Sequence, residues 1–123
     1  LKCSKYVNSL FEENSKTLLP EDRVIDAGHF AASTDMGDVS NLIPSIHPFI
    51  GGVSGALHTK DFKVEDYYAA CVLPAKIMAM TVIDLLYNNG EKAKQVMDSF
   101  IPTFKNKKEY INFLESCFER KVQ

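Results

Sequence analysis

The sequence predicts a single helix-rich α/β domain with a few strands. Three observations predict it. Apolar residues recur at helical spacing in three long stretches. One Ile- and Phe-rich run, residues 45–50, is bounded by proline and glycine in the manner of a strand. The protein has 123 residues, 46% hydrophobic and 24% charged, which suits one globular domain at most.

Each element has its own signals. Residues 2–18 read as a helix: Val7, Leu10, Phe11 and Leu18 form the apolar stripe, and Pro20 ends it. Residues 23–26, RVID, read as a short, weak strand. Gly28 to Ala32 is a passage of small residues. Residues 35–40 suit a helical turn capped by Ser33 or Thr34, stopped before Pro44. Residues 45–50 follow as a strand, with Pro48 placed at an edge. Gly51, Gly52 and Gly55 then permit tight turns.

A long helix is expected from about Val64 to Asn89, capped by Thr59 or Asp61. Its residues 72–86 are apolar almost all round, which predicts burial in something larger. Pro74 should kink it near the middle, and Asn89-Gly90 should stop it. A short helix over 91–100 ends at Pro102. A last helix is capped by Asn106 and presents Tyr110, Phe113, Leu114, Cys117 and Phe118 on one face.

Charge and cysteine usage narrow the classes. A net charge of −2 gives no electrostatic case for nucleic acid or an anionic membrane. No apolar run reads as long enough to span a bilayer, and no signal peptide is visible. Cys3, Cys71 and Cys117 are widely spaced and odd in number, which suits reduced thiols in a cytoplasmic protein. Cys71 sits in an apolar helical run, where a buried inert thiol is expected; a thiol enzyme using Cys71 and one histidine is the competing reading. The sequence starts at Leu1, not methionine, so a processed or cut piece of a longer protein is expected.

Residues 33–62 hold most of the chemistry. His58 follows three glycines and stands at the mouth of the long helix, where an imidazole suits zinc. The bland alternative, a structural histidine, is commoner for a lone imidazole. His47 lies in the extended apolar run, as a substrate contact or a core histidine bonded to backbone. His29 is the weakest of the three. Ser33, Thr34 and Asp35 offer hydroxyls and a carboxylate to a ligand, or simply cap a helix. Asp35 and Asp38 lie on one side of a turn without further support for acid–base work. The three histidines lack any spacing that makes a zinc site on its own.

The phrases AASTDMGDVSNLIPSIHPFIGG (31–52), ALHTKDF (56–62) and AKIMAMTVIDLL (75–86) resemble the C-terminal part of the dinuclear zinc amidohydrolases. That superfamily holds aminoacylases, hippurate hydrolases and glutamate carboxypeptidases. The similarity is greatest to the branch of p-aminobenzoyl-glutamate hydrolase subunits and Xaa-Arg (β-alanyl-lysine) dipeptidases, whose sequences read G-S-T-D-M-G-N-V-S, then P-S-I-H-P, then a histidine followed by threonine. The helix with Asn8 and Phe11 resembles the one preceding that motif.

The resemblance implies a zinc-peptidase-like fold, with residues 1–123 as a single partial catalytic domain. Residues 1–19 would be a helix, 20–62 a motif-bearing strand and loop region, 63–90 the long helix, and 91–123 a peripheral helical tail. It implies that His58 is a metal ligand and that Thr34 and Asp35 line the substrate side. His47 matches a residue of the branch and is placed with the substrate contacts. In the family two zinc-type ions activate a water that attacks the amide of an N-acyl amino acid or dipeptide, and a glutamate serves as general base. The other ligands and that glutamate lie upstream of the matched blocks, so the catalytic residue is not among these 123 and the chain alone is expected to be inactive. The parent would be a homo-oligomer. Ala31-Ala32 departs from the family, which favours glycine there. The alternative reading is a non-enzymatic module or remnant whose apolar helix docks on another protein.

Overall fold

The computed structural model describes residues 1–26, 28 and 33–118. His29, Ala31 and Ala32, which carry two of the expectations above, lie outside the described residues. The framework is a pair of packed helices, with a small hairpin at one end of the longer one.

Helix α1 (Lys5–Leu18) starts three residues later than its apolar stripe suggested. Ser4 explains this: its hydroxyl accepts from the Val7 amide at 3.4 Å, the bond of an N-cap. The residues before it are extended, and Cys3 bridges Ser45 in parallel. Leu10, Asn14 and Ser15 are the buried face of α1. Pro20 then opens a single 3-10 turn, Glu21–Arg23. The strand expected over 23–26 is absent: the Arg23 amide bonds back to Pro20, and Ile25 is 78% exposed.

Helix α2 (Met36–Leu42) lies where a helical turn was expected. The Thr34 hydroxyl accepts from the Met36 amide at 3.3 Å. Ser40 on α2 is fully buried, accepts from the Lys2 amide and donates to the Gly37 carbonyl, both at 2.9 Å. It thereby ties the extended N-terminus to α2.

Residues 46–50 form no strand. Pro44 and Pro48 remove two ladder donors, and Phe49 and Ile50 point outward at 62% and 44% exposure. The sheet lies just beyond: β1 (Val53–Ser54) pairs antiparallel with β2 (Lys63–Val64), Val53 opposite Val64. The described structure is therefore helix-rich with one two-stranded sheet.

Helix α3 (Leu73–Ser99) is preceded by a π-turn, Tyr68–Val72. Asp66, not Thr59 or Asp61, caps this run, its carboxylate accepting from the Tyr68 and Ala69 amides at 2.9 and 3.0 Å. The expected mid-helix kink at Pro74 is displaced to the helix start. The Leu73 amide reaches back five residues to Tyr68, and the wider turn accommodates a ring that cannot donate. The stop at Asn89-Gly90 is real: residues 87–90 leave helical geometry, with Asn88, Asn89 and Gly90 all left-handed. Residues 73–86 and 91–99 are thus two helical arms.

Leu73, Ile77, Thr81 and Val96 face inward on α3, at turn spacing in the first arm. With Leu10 they supply the buried hydrophobic core and one buried hydroxyl. A polar lock crosses the α1–α3 interface: the Asn14 amide donates to Thr81 Oγ1 at 3.4 Å and to Asp84 Oδ2 at 2.8 Å. The opposite face is bare, with Met78, Val82, Ile83 and Leu86 each more than half exposed. The helix is therefore not buried all round within these 123 residues. By length and composition the run Tyr68–Ser99 is long and apolar enough to cross a membrane, contrary to the sequence expectation. Lys76 and Asp84 are the only charges between residues 68 and 86.

Helix α4 (Lys107–Cys117) is capped by Asn106, whose side chain accepts from the Glu109 amide at 3.0 Å. Glu109 in turn accepts from the Lys105 amide at 2.8 Å, one residue before the cap. Phe104 packs on Tyr110 and Phe113 at 5.3 and 5.2 Å between ring centroids. No α4 residue is buried.

The accessible surface is 9859 Å². A compact monomer of this mass exposes roughly 6,600 Å². The excess is about half, and Met78, Ile83 and Leu86 of α3 are among the exposed large hydrophobic residues.

Candidate functional site

His58 stands in the loop joining β1 to β2, and it is exposed. Its φ is 62°, a left-handed conformation that histidine adopts uncommonly. The loop is held so by its neighbours. Gly55 turns at φ 81°, the Thr59 hydroxyl donates to the Ala56 carbonyl at 2.8 Å, and the Thr59 and Phe62 amides close successive turns. Behind the loop, the Gly52 carbonyl accepts from the Glu65 and Asp66 amides at 2.9 and 3.1 Å. The same Asp66 caps the π-turn. Backbone and carboxylate hydrogen bonds therefore tie the hairpin that carries the imidazole to the helix start.

A polar cluster on the hairpin escaped the sequence reading. The Glu65 carboxylate accepts from Ser54 Oγ at 2.7 Å and pairs with Lys63 at 2.9 Å. The Ser54 bond, then the Lys63 bond, holds its carboxyl below the ordinary glutamate range. A carboxyl depressed by folding stabilises the fold above its unfolded pKa, and that contribution is lost as pH falls through the folded value. Ser54→Ala is therefore expected to raise the Glu65 midpoint toward that of a free glutamate in an NMR titration. An unmoved midpoint would show that Ser54 does not hold the carboxylate in solution.

The other expected site residues are spread over the surface. Asp35 is exposed at the start of α2, and Thr34 is half-buried with its hydroxyl accepting from the Met36 amide. His47 is half-buried and stacks on Phe49, ring centroids 5.5 Å apart. Among the described residues, no hydrogen bond, ion pair or ring contact joins Thr34, Asp35, His47 and His58 to one another. Cys71 is exposed on the π-turn, not buried as its apolar surroundings suggested.

The fit to a metal is partial. Among the described residues no three His, Cys, Asp or Glu side chains converge to hold an ion. A catalytic zinc takes about three protein ligands, so the described residues do not by themselves form such a site. Two open grooves, of about 430 and 530 Å³, lie elsewhere, along α1 and the second arm of α3. Lys5 and Tyr6 line both, and none of the four candidate residues lines either.

The chain is 33% identical over 93 residues to the Xaa-Arg dipeptidase of Mus musculus. The match takes in 68% of this chain and 21% of that dipeptidase. The protein thus spans about a fifth of the length of the curated relative it matches. No family model matches it. No solved structure matches it either.

Proposed function

We propose that this chain is part of the catalytic domain of a metal-dependent amidohydrolase of the dipeptidase type. In the complete protein it would cleave the amide bond of an N-acyl amino acid or a dipeptide. The observation that carries the proposal is the 33% identity to an Xaa-Arg dipeptidase over 93 residues. In this reading His58 supplies one metal ligand, and Thr34, Asp35 and His47 border the substrate. The remaining ligands and the general base come from the rest of the protein, so the 123 residues alone are inactive.

Two features of the fold support the assignment. His58 keeps a left-handed backbone that costs roughly 1–2 kcal/mol for a residue with a Cβ, and such outliers gather at functional sites. The bare apolar face of α3 and the excess surface call for a covering layer, which the remainder of a catalytic domain provides. The same face also favours the second reading, a non-enzymatic module docking on another protein.

One experiment separates them. The full gene product is purified in its wild-type form and as His58→Gly, then assayed for bound zinc and for hydrolysis of an Xaa-Arg dipeptide. Glycine suits a positive φ, so the hairpin persists while the imidazole is lost. The expected result is a reduced zinc content and loss of turnover. Full zinc content and turnover in the variant would refute the role of His58. A wild-type gene product with neither metal nor activity would favour the docking module.

A further inference from the structure

The break in α3 carries chemistry that the proposed activity does not use. We propose that Asn89 is a site of spontaneous deamidation and that its conversion loosens the joint between the two arms of α3. Seven asparagines occur in the sequence, and Asn89 is the one followed by glycine. Gly90 has no side chain to obstruct its amide nitrogen. Asn89 is exposed, and residues 87–90 have left the helical backbone. Asn14, by contrast, is buried with its amide bonded to Asp84, and the Asn41 amide donates to Gly37 at 2.7 Å.

The reaction balances without a co-reactant other than water. The Gly90 nitrogen attacks Asn89 Cγ and forms the new N–C bond of a succinimide. The bond from Cγ to Nδ2 breaks, and the amide leaves as ammonia with the proton lost from Gly90. Water then opens the ring at either carbonyl, giving aspartate or isoaspartate. In the resting turn Asn89 ψ is 27°, so this torsion must rotate before closure. Asn88 and Asn89 both occupy left-handed backbone that disfavours a Cβ, which eases that rotation.

The two products differ in effect. Aspartate adds charge on an unchanged backbone. Isoaspartate inserts one extra backbone atom between arms that are both fixed to α1. The first arm is held by Ile77, Thr81 and the Asn14–Asp84 bond. The second is held by Val96 and by the bond from the Tyr6 hydroxyl to Gln95. A longer joint cannot keep both sets of contacts.

The test incubates the purified protein at neutral pH and maps its peptides over time. Asn89 is expected to gain the mass of an amide-to-acid exchange several-fold faster than any other asparagine, with isoaspartate among the products. The gain should vanish in Asn89→Gln, where the extra methylene makes a larger, less favourable ring. Aged wild-type protein should melt lower than fresh Asn89→Asp. If Asn89 stays intact while a free peptide of residues 84–94 deamidates, the fold protects it and the site is refuted. If aged protein melts with Asn89→Asp, the loosened joint is refuted. The wild-type map requires neither variant to fold and is independent of any hydrolase activity.

Discussion

Gly55→Ala is expected to open the hairpin that presents His58. Gly55 has φ 81°, and an added Cβ would lie 2.6 Å from the Asp61 carbonyl carbon and 2.9 Å from the Phe62 nitrogen. Those atoms are backbone and cannot rotate aside. The strained φ alone costs about 1–3 kcal/mol, and the clash adds to it. The ladder that must absorb this is two residues per strand, so the hairpin yields before the helices do. Hydrogen exchange should show faster exchange in the Glu65 and Asp66 amides, with α1 and the first arm of α3 little changed. Unaltered protection of those two amides would sink the prediction. Gly37→Ala is the control. It lies within α2 with nothing within 4 Å of the new Cβ, and Ala in a helix is favoured by roughly 0.5–1 kcal/mol over Gly.

Ile77→Ala is expected to give the largest global loss of stability. Ile77 is 4% exposed, the least among the four buried hydrophobic residues described, and it lies one turn before Thr81, which bonds Asn14 of α1. Truncating a buried isoleucine to alanine costs about 2–5 kcal/mol. Set against a typical total of about 5–15 kcal/mol, that is a large share, and this small core has few other contacts to compensate. Denaturant unfolding should move to a markedly lower midpoint. Ile83, nearer the break and 62% exposed, should change stability by less than about 0.5 kcal/mol in these 123 residues when cut to alanine. In a longer gene product whose remaining domain covers that face, Ile83→Ala should approach the cost of Ile77→Ala. Equal, small effects in both backgrounds would mean the face stays bare and would count against the covering layer.

Several elements were legible because their causes are local. Asn106 and Pro20 mark a helix start and a helix end through a side-chain acceptor and a missing donor, and the structure places them so. Asn89-Gly90 marks a break because both residues accept left-handed backbone. The strand over 45–50 was misread because a short apolar run records composition, not a pairing partner. Pro48 removes a ladder donor within it, and Phe49 and Ile50 face out. The true strands are two residues long and carry no periodic signal at all. Asp66 was passed over as a cap because nothing local distinguishes it from Thr59 or Asp61; the turn of the hairpin decides which carboxylate or hydroxyl meets the free amides.

The sequence by itself determined the helix-rich class, the apolar stripes, the end of α1 before Pro20, the break at Asn89-Gly90 and the start of α4 at Asn106, because neighbouring residues set those. It also placed an imidazole beside glycines at the head of a long helix. Only the tertiary structure decided which face of α3 meets α1, that Asn14 locks to Asp84, and that His58 stands exposed on a left-handed turn fixed by Gly52, Gly55 and Asp66. These depend on contacts between residues far apart in sequence, whose energies arise only when the packing brings them together.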